Sequence, residues 1–163
     1  MKTTGLFSIH RYEIKVKYGE TFYLLPFGDI HRYAPLCDEK RWLEYLKWAK
    51  TKKNAYFLGM GDYDDLASAS ERILLSDKKF HESTMETLDN IYKKNTLRLA
   101  KELEFMKGRL IGLIGGNHYA ELQSGINTDQ LLADHLNTKF LGVASFIRLA
   151  IQADTGHKGS NCI

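Results

Sequence analysis

The stretch Leu110-Ile111-Gly112-Leu113-Ile114-Gly115-Gly116-Asn117-His118 runs from an apolar segment through paired glycines to two side chains that can ligate a cation or touch a substrate. An apolar run this short, preceded by a glycine stop at Gly108, reads as a buried strand of an α/β sheet. Two glycines permit a tight exit from the strand, and open α/β folds build their sites beyond the carboxyl ends of such strands. Working outward, the same layout occurs twice more. Residues 56–60 lead into Gly61-Asp62-Tyr63-Asp64-Asp65, and residues 22–27 lead, past Gly28, into Asp29-Ile30-His31. Three strand-like runs therefore each deliver ligating groups.

Each piece has its own chemistry. On extended backbone, residues i and i+2 face the same side, so Asp29 and His31 can reach one ion. Gly61 allows a sharp turn that leaves the Asp62 carboxylate facing a crevice, and a carboxylate has two oxygens with which to bridge two cations. The Asn117 amide oxygen suits a hard cation, and His118 follows it. Taken singly, D-x-H and Gly-Asp are ordinary loop sequences; in this order, each after its own strand, they point to a site for divalent cations.

The remaining chain supports an α/β reading. Residues 12–16 alternate, turn through Lys17-Tyr18-Gly19-Glu20, and predict a hairpin with 21–27. Asp38 is an N-cap candidate for a helix carrying Trp42, Leu43, Tyr45, Leu46 and Ala49 at helical spacing. Residues 66–107 hold two helical pieces that end at Gly108. A short helix is expected over 129–136, with strand character at Phe140-Leu141 and over 146–151. The order β-β-α-β-αα-β-α-β-β favours a layered α/β sheet. Of the other histidines, His10, His81 and His135 read as structural or solvated. Trp42, Tyr45 and Trp48 read as helix packing.

The ordered set D-x-H, G-D-x-x-D and G-N-H resembles the calcineurin-like metallophosphoesterase superfamily, over about residues 24–121. Gly-Asn-His-Tyr at 116–119 and the residues after it are similar to a subgroup met in phages and bacterial genomes. The resemblance implies an α/β/β/α-type layered sandwich and two divalent metal ions, Mn, Fe, Zn or Ni. Asp29 and His31 would ligate the first ion, Asp62 would bridge both, and Asn117 would ligate the second. His118 would act beside the phosphate as general acid or transition-state stabiliser, oriented by Asp65, with Asp64 the rival for that role. The implied reaction is metal-dependent hydrolysis of a phosphate mono- or diester, with nucleic acids and nucleotides among the substrate classes. Two departures stand out. Tyr119 occupies a position that is commonly acidic in the family. The family's later single His and G-H-x-H have no clear counterpart before Ile163; Gly156-His157-Lys158-Gly159 is a superficial echo of the single His. Residues 1–163 are accordingly expected to be one such domain lacking its C-terminal part. The alternative is a truncated, catalytically inactive fragment that binds one metal.

Composition sets the outer bounds. The chain has 163 residues, the size of one domain, and 44% hydrophobic residues is ordinary for a globular protein. A net charge of +3 with Lys and Glu interspersed reads as a solvated surface. Cys37 and Cys162 have no metal or redox spacing and predict neither a disulfide framework nor a disulfide-linked partner, which fits a reduced, cytoplasmic setting. No long apolar run predicts a membrane span, and residues 1–10 lack the layout of a signal peptide.

Overall fold

The computed structural model describes residues 8–67, 69–77 and 80–154. Among the described residues, five strands and four α-helices follow in the order β1 (Ser8–Lys17), β2 (Tyr23–Phe27), α1 (Glu39–Lys50), β3 (Ala55–Gly59), α2 (Ala69–Ser76), α3 (Glu82–Leu103), β4 (Leu110–Leu113), α4 (Thr128–His135) and β5 (Ser145–Asp154). The strands form two open parallel sheets, β2-β3-β4 with β3 central and a separate pair β1-β5. Mixed helices and parallel strands make this an α/β architecture.

Local sequence explains most boundaries. The Asp38 carboxylate accepts the Arg41 N–H at 3.0 Å, so α1 begins where its cap stands. The expected break in 66–107 falls between α2 and α3, and His81 caps α3 by accepting the Ser83 N–H. A single 3-10 turn, Glu104–Met106, ends that stretch before Gly108 reverses the chain at φ +78°.

Two expectations are corrected. Residues 12–16 and 21–27 do not form a hairpin. β1 instead runs parallel to β5 over ten register pairs, from Ser8↔Ser145 to Lys17↔Asp154. β2 directs its ladder to β3 over five pairs, with Pro26, which has no N–H to donate, on the sheet's edge strand. Ten pairs along two alternating strands outweigh what a five-residue partner offers β1. Phe140-Leu141 likewise makes only one bridge, Leu113↔Phe140, because Gly142 turns the chain at φ +75° immediately afterwards.

The main core lies between β2-β3-β4 and helices α1, α3 and α4. It joins Phe27, Trp42, Leu46, Phe57, Leu99, Leu103, Leu113, Leu132 and Leu136. Burying a side chain of this size is worth about 1.5–3 kcal/mol, so this cluster holds the three strand ends in register. A second cluster, Ala67, Leu75, Met85, Tyr92, Ala120 and Leu122, ties α2 and the start of α3 to the loop after β4. A buried polar anchor completes the frame. Arg32, next to His31, donates to both carboxylate oxygens of Glu102 on α3 (2.9–3.2 Å) and to Glu39 on α1 (3.0 Å). The Trp42 indole N–H also reaches Glu102 at 2.8 Å. These charge-assisted bonds push the Arg32 guanidinium further above its ordinary range. Among the described residues no helix is long and apolar enough to cross a membrane, and Cys37 is a free thiol.

Candidate metal centre

Loops that leave β2, β3 and β4 come together because glycine lets their backbones touch. A Cβ on Gly28 would lie 2.9 Å from the Gly61 carbonyl oxygen, and one on Gly61 would lie 2.8 Å from the Gly116 Cα. One on Gly116 would overlap the Asp62 backbone nitrogen and Oδ1. The chain of contacts runs Gly28–Gly61–Gly116, one glycine from each loop, so no larger residue fits at these crossings without shifting backbone.

Main-chain hydrogen bonds then fix the first two loops to each other beyond the sheet. The Asp29 N–H donates to Gly61 O at 3.0 Å, and the Ile30 and His31 N–H groups both donate to Asp62 O at 2.9 and 3.0 Å. Asp29, His31 and Asp62 adopt left-handed φ angles of 53°, 47° and 51°. Asp and His tolerate that region better than most residues, and three such conformations in one place mark a built site. They also correct the sequence reasoning. Asp29 and His31 meet through a left-handed turn, with Asp29 Oδ1 and His31 Nε2 2.9 Å apart, not through alternation along a strand.

The third loop is fastened by the Asp62 carboxylate. Its Oδ1 accepts the Asn117 N–H at 2.9 Å and the His118 N–H at 3.2 Å. Two ligand groups result. Donor atoms of Asp29, His31 and Asp62 lie within 4.8 Å of one another, as do those of His31, Asp65 and His118. Asp65 joins the two. Its Oδ2 lies 3.2 Å from His118 Nδ1 and 3.5 Å from His31 Nδ1, and the two imidazoles meet edge to face at 4.4 Å. Asp64, the alternative partner for His118, is 4% exposed and forms a backbone bridge with Arg32. Burial, then Asp129 and Asp65, push its carboxyl up to about 7. Asp29 is open to solvent, with 88% of its side chain exposed, whereas His31, Asp65 and His118 are each about one-quarter exposed.

Comparison with protein-family models, with curated proteins and with solved structures returns no match to this chain. Its geometry is therefore the main guide to function.

Two supports escape the sequence reading. Asp129, at the start of α4 and 3% exposed, accepts the Gly116 N–H on Oδ2 at 2.8 Å. Burial, partly opposed by that bond and reinforced by Asp62, raises its carboxyl to about 6. The adjacent Thr128 hydroxyl accepts the Ala120 N–H at 3.1 Å, so the start of α4 clamps both ends of the Gly116–Ala120 segment. The sequence Asn127-Thr128-Asp129 carries only a helix-start signal, and Asn127 is the cap, accepting the Gln130 N–H. Arg72 on α2 donates to Asp65 Oδ1 at 3.0 Å and to Ala67 O at 2.6 Å, with His118 Nδ1 3.4 Å away. Nothing in its flanking residues distinguishes it from a surface arginine. The other histidines lie apart from this centre: His10 pairs with the Ser8 hydroxyl at 2.7 Å, His81 caps α3, and His135 ends α4. His157 and Cys162 lie outside the described residues.

Proposed function

We propose that this chain carries the metal centre of a phosphoesterase that hydrolyses a phosphate mono- or diester. One observation carries the reading: Asp62 stands within ligand reach of Asp29 and His31 while its Oδ1 holds the Asn117-His118 backbone. The donor set suits a hard or borderline divalent cation, Mn, Fe, Zn or Ni, because two carboxylates and an imidazole converge from separate loops. Asp29, His31 and Asp62 would hold the first ion; Asp62 and Asn117 would hold the second. When bound, such ions supply Lewis-acid charge at the phosphoryl oxygens and bring the pKa of coordinated water toward neutrality.

The chain's own residues do the rest. Asp65 accepts the His118 Nδ1–H and so orients the ring; from the doubly protonated imidazolium, Nε2–H would then donate a hydrogen bond or proton to the ester oxygen. Arg72 holds Asp65 from the far side and supplies a positive charge near the phosphate. Asp129 pins the tight turn at Gly116, from which Asn117 would reach the second ion. On this reading the two open sheets belong to a layered α/β/β/α sandwich of the metallophosphoesterase type, working in a reducing cytoplasm with a phosphate ester as its partner.

A second reading has specific support: a single-cation site. Among the described His, Cys, Asp and Glu residues, only Asp29 and His31 form a ligand group with Asp62. Hydrolysis of bis(p-nitrophenyl) phosphate with added Mn²⁺, in the wild type and in Asp62→Asn, tests the activity. The proposal expects metal-dependent turnover that the substitution reduces at least a hundredfold; equal turnover in the two proteins ends it. Calorimetric titration with Mn²⁺ separates two equivalents from one.

A further inference from the structure

We infer that the substrate carries a bulky apolar or aryl ester group, housed in the cavity on the Asp29-His31 side of the metal centre. The inference rests on the phosphoesterase reading and extends it to substrate class.

A cavity of about 1030 Å³ opens there, at the upper end of the range for small-molecule sites. Asp29, His31 and Asp65 are among the residues that line it. The walls are mostly apolar, supplied by Phe27, Ile30, Ala34, Pro35, Trp42 and Tyr45. Several of these are fixed by the core. Phe27 and Trp42 are buried and packed on each other with ring centroids 6.4 Å apart, and Trp42 stacks on Tyr45 at 5.5 Å and 20°. The Trp42 indole is also tied to Glu102. The Phe27, Trp42 and Tyr45 side of the cavity is thus held by packing. Arg41 lines the same space, with no acidic partner for its guanidinium among the described residues.

The placement gives the substrate a direction. A phosphate at the ligand cluster can extend an ester group either way. On the Asn117 side the recess is only about 320 Å³, lined by Ile73, Leu75 and Ala120 as well as Arg72, Asn117 and Glu121, which suits a small group. On the Asp29 side the space is about threefold larger and apolar, and burying a ring there releases water from both surfaces. Specificity for the ester group is therefore a property of the turn after His31 and the first turns of α1.

The test compares phenylphosphonate with methylphosphonate, binding to the Mn²⁺-loaded full chain by calorimetry, a readout independent of turnover. Phenylphosphonate is expected to bind at least tenfold more tightly. Ala34→Phe, which fills the cavity, should bring the ratio close to one. Leu36→Asp, at a rim position whose side chain is 96% exposed and therefore tolerant, should lower it severalfold. Equal affinity for the two phosphonates overturns the cavity assignment and leaves the phosphoesterase reading standing. A tenfold ratio that neither substitution changes overturns it as well. Binding of neither phosphonate overturns both.

Discussion

Replacing Gly116 by alanine should force apart the loops that build the candidate metal centre. The Gly116 backbone is not in the left-handed region, so the substitution acts through sterics alone. The new Cβ would lie 2.9 Å from the Asp62 Cγ and closer still to its Oδ1 and backbone nitrogen, whereas ordinary contact begins at 3.4 Å. The Asp62 backbone nitrogen, unlike a side-chain end, cannot rotate aside. The loops after β3 and β4 must therefore separate by roughly 1 Å to bring the Asp62 backbone nitrogen to ordinary contact. Separation of that size lengthens the 2.9 and 3.2 Å bonds from Asn117 and His118 to Asp62 beyond useful range. A hydrogen bond to a charged acceptor is worth about 1.5–3 kcal/mol net, and water recovers part of that at this open site. Adding the strain of overpacking, about 1–3 kcal/mol, gives an expected loss of about 2–4 kcal/mol. Urea unfolding of the metal-free protein measures the loss, and Mn²⁺ titration measures the accompanying fall in affinity, expected to be tenfold or more. Gly125→Ala is the control: its Cβ meets nothing within 4 Å, and only the φ of +80° is penalised, by about 1 kcal/mol. If Gly116→Ala matched Gly125→Ala in both stability and metal affinity, the three-loop construction would be wrong.

Asp65→Asn should lower metal-dependent turnover 10–100-fold with a stability change below about 1 kcal/mol, because Asp65 orients His118 without burying it; wild-type turnover would remove it from the site. Arg32→Met should cost about 3 kcal/mol in a denaturant melt by leaving the Glu102 carboxylate, to which the Trp42 indole still donates, without its charged partner, and an unchanged midpoint would refute the anchor. Tyr45→Phe should stabilise the protein by about 1 kcal/mol, since the buried Tyr45 hydroxyl has no hydrogen-bond partner among the described residues. Burial also raises the Tyr45 pKa above its ordinary value of 10.0, so the neutral phenol's advantage is complete below pH 10 and is lost as pH rises through the raised value. Melts at pH 9 and 11 should therefore show a shallower alkaline decline in Tyr45→Phe, and an identical decline would contradict the sign.

The strands that carry the site were legible because their apolar runs are short and end in glycine, as at Gly61 and Gly115-Gly116. That Asp29, His31, Asp62 and Asp65 come together was legible for the same reason, since side chains able to ligate a cation directly follow those runs. Long-range pairing was not. Nothing local tells β1 that its partner is β5 and not β2, because a turn after Lys17 suits either outcome, and the register is decided 128 residues further on at Ser145. Asp129 and Arg72 were hidden for a similar reason. Each acts on a residue far along the chain, and each sits in a helix whose own pattern explains it locally.

Anomalous diffraction from crystals soaked in Mn²⁺ tests the central claim most directly. A peak within coordination distance of Asp29, His31 and Asp62 together is the expected result, with a second ion, if bound, sharing Asp62 and touching Asn117. Ions bound only elsewhere on the molecule, or none at millimolar Mn²⁺, would contradict the account.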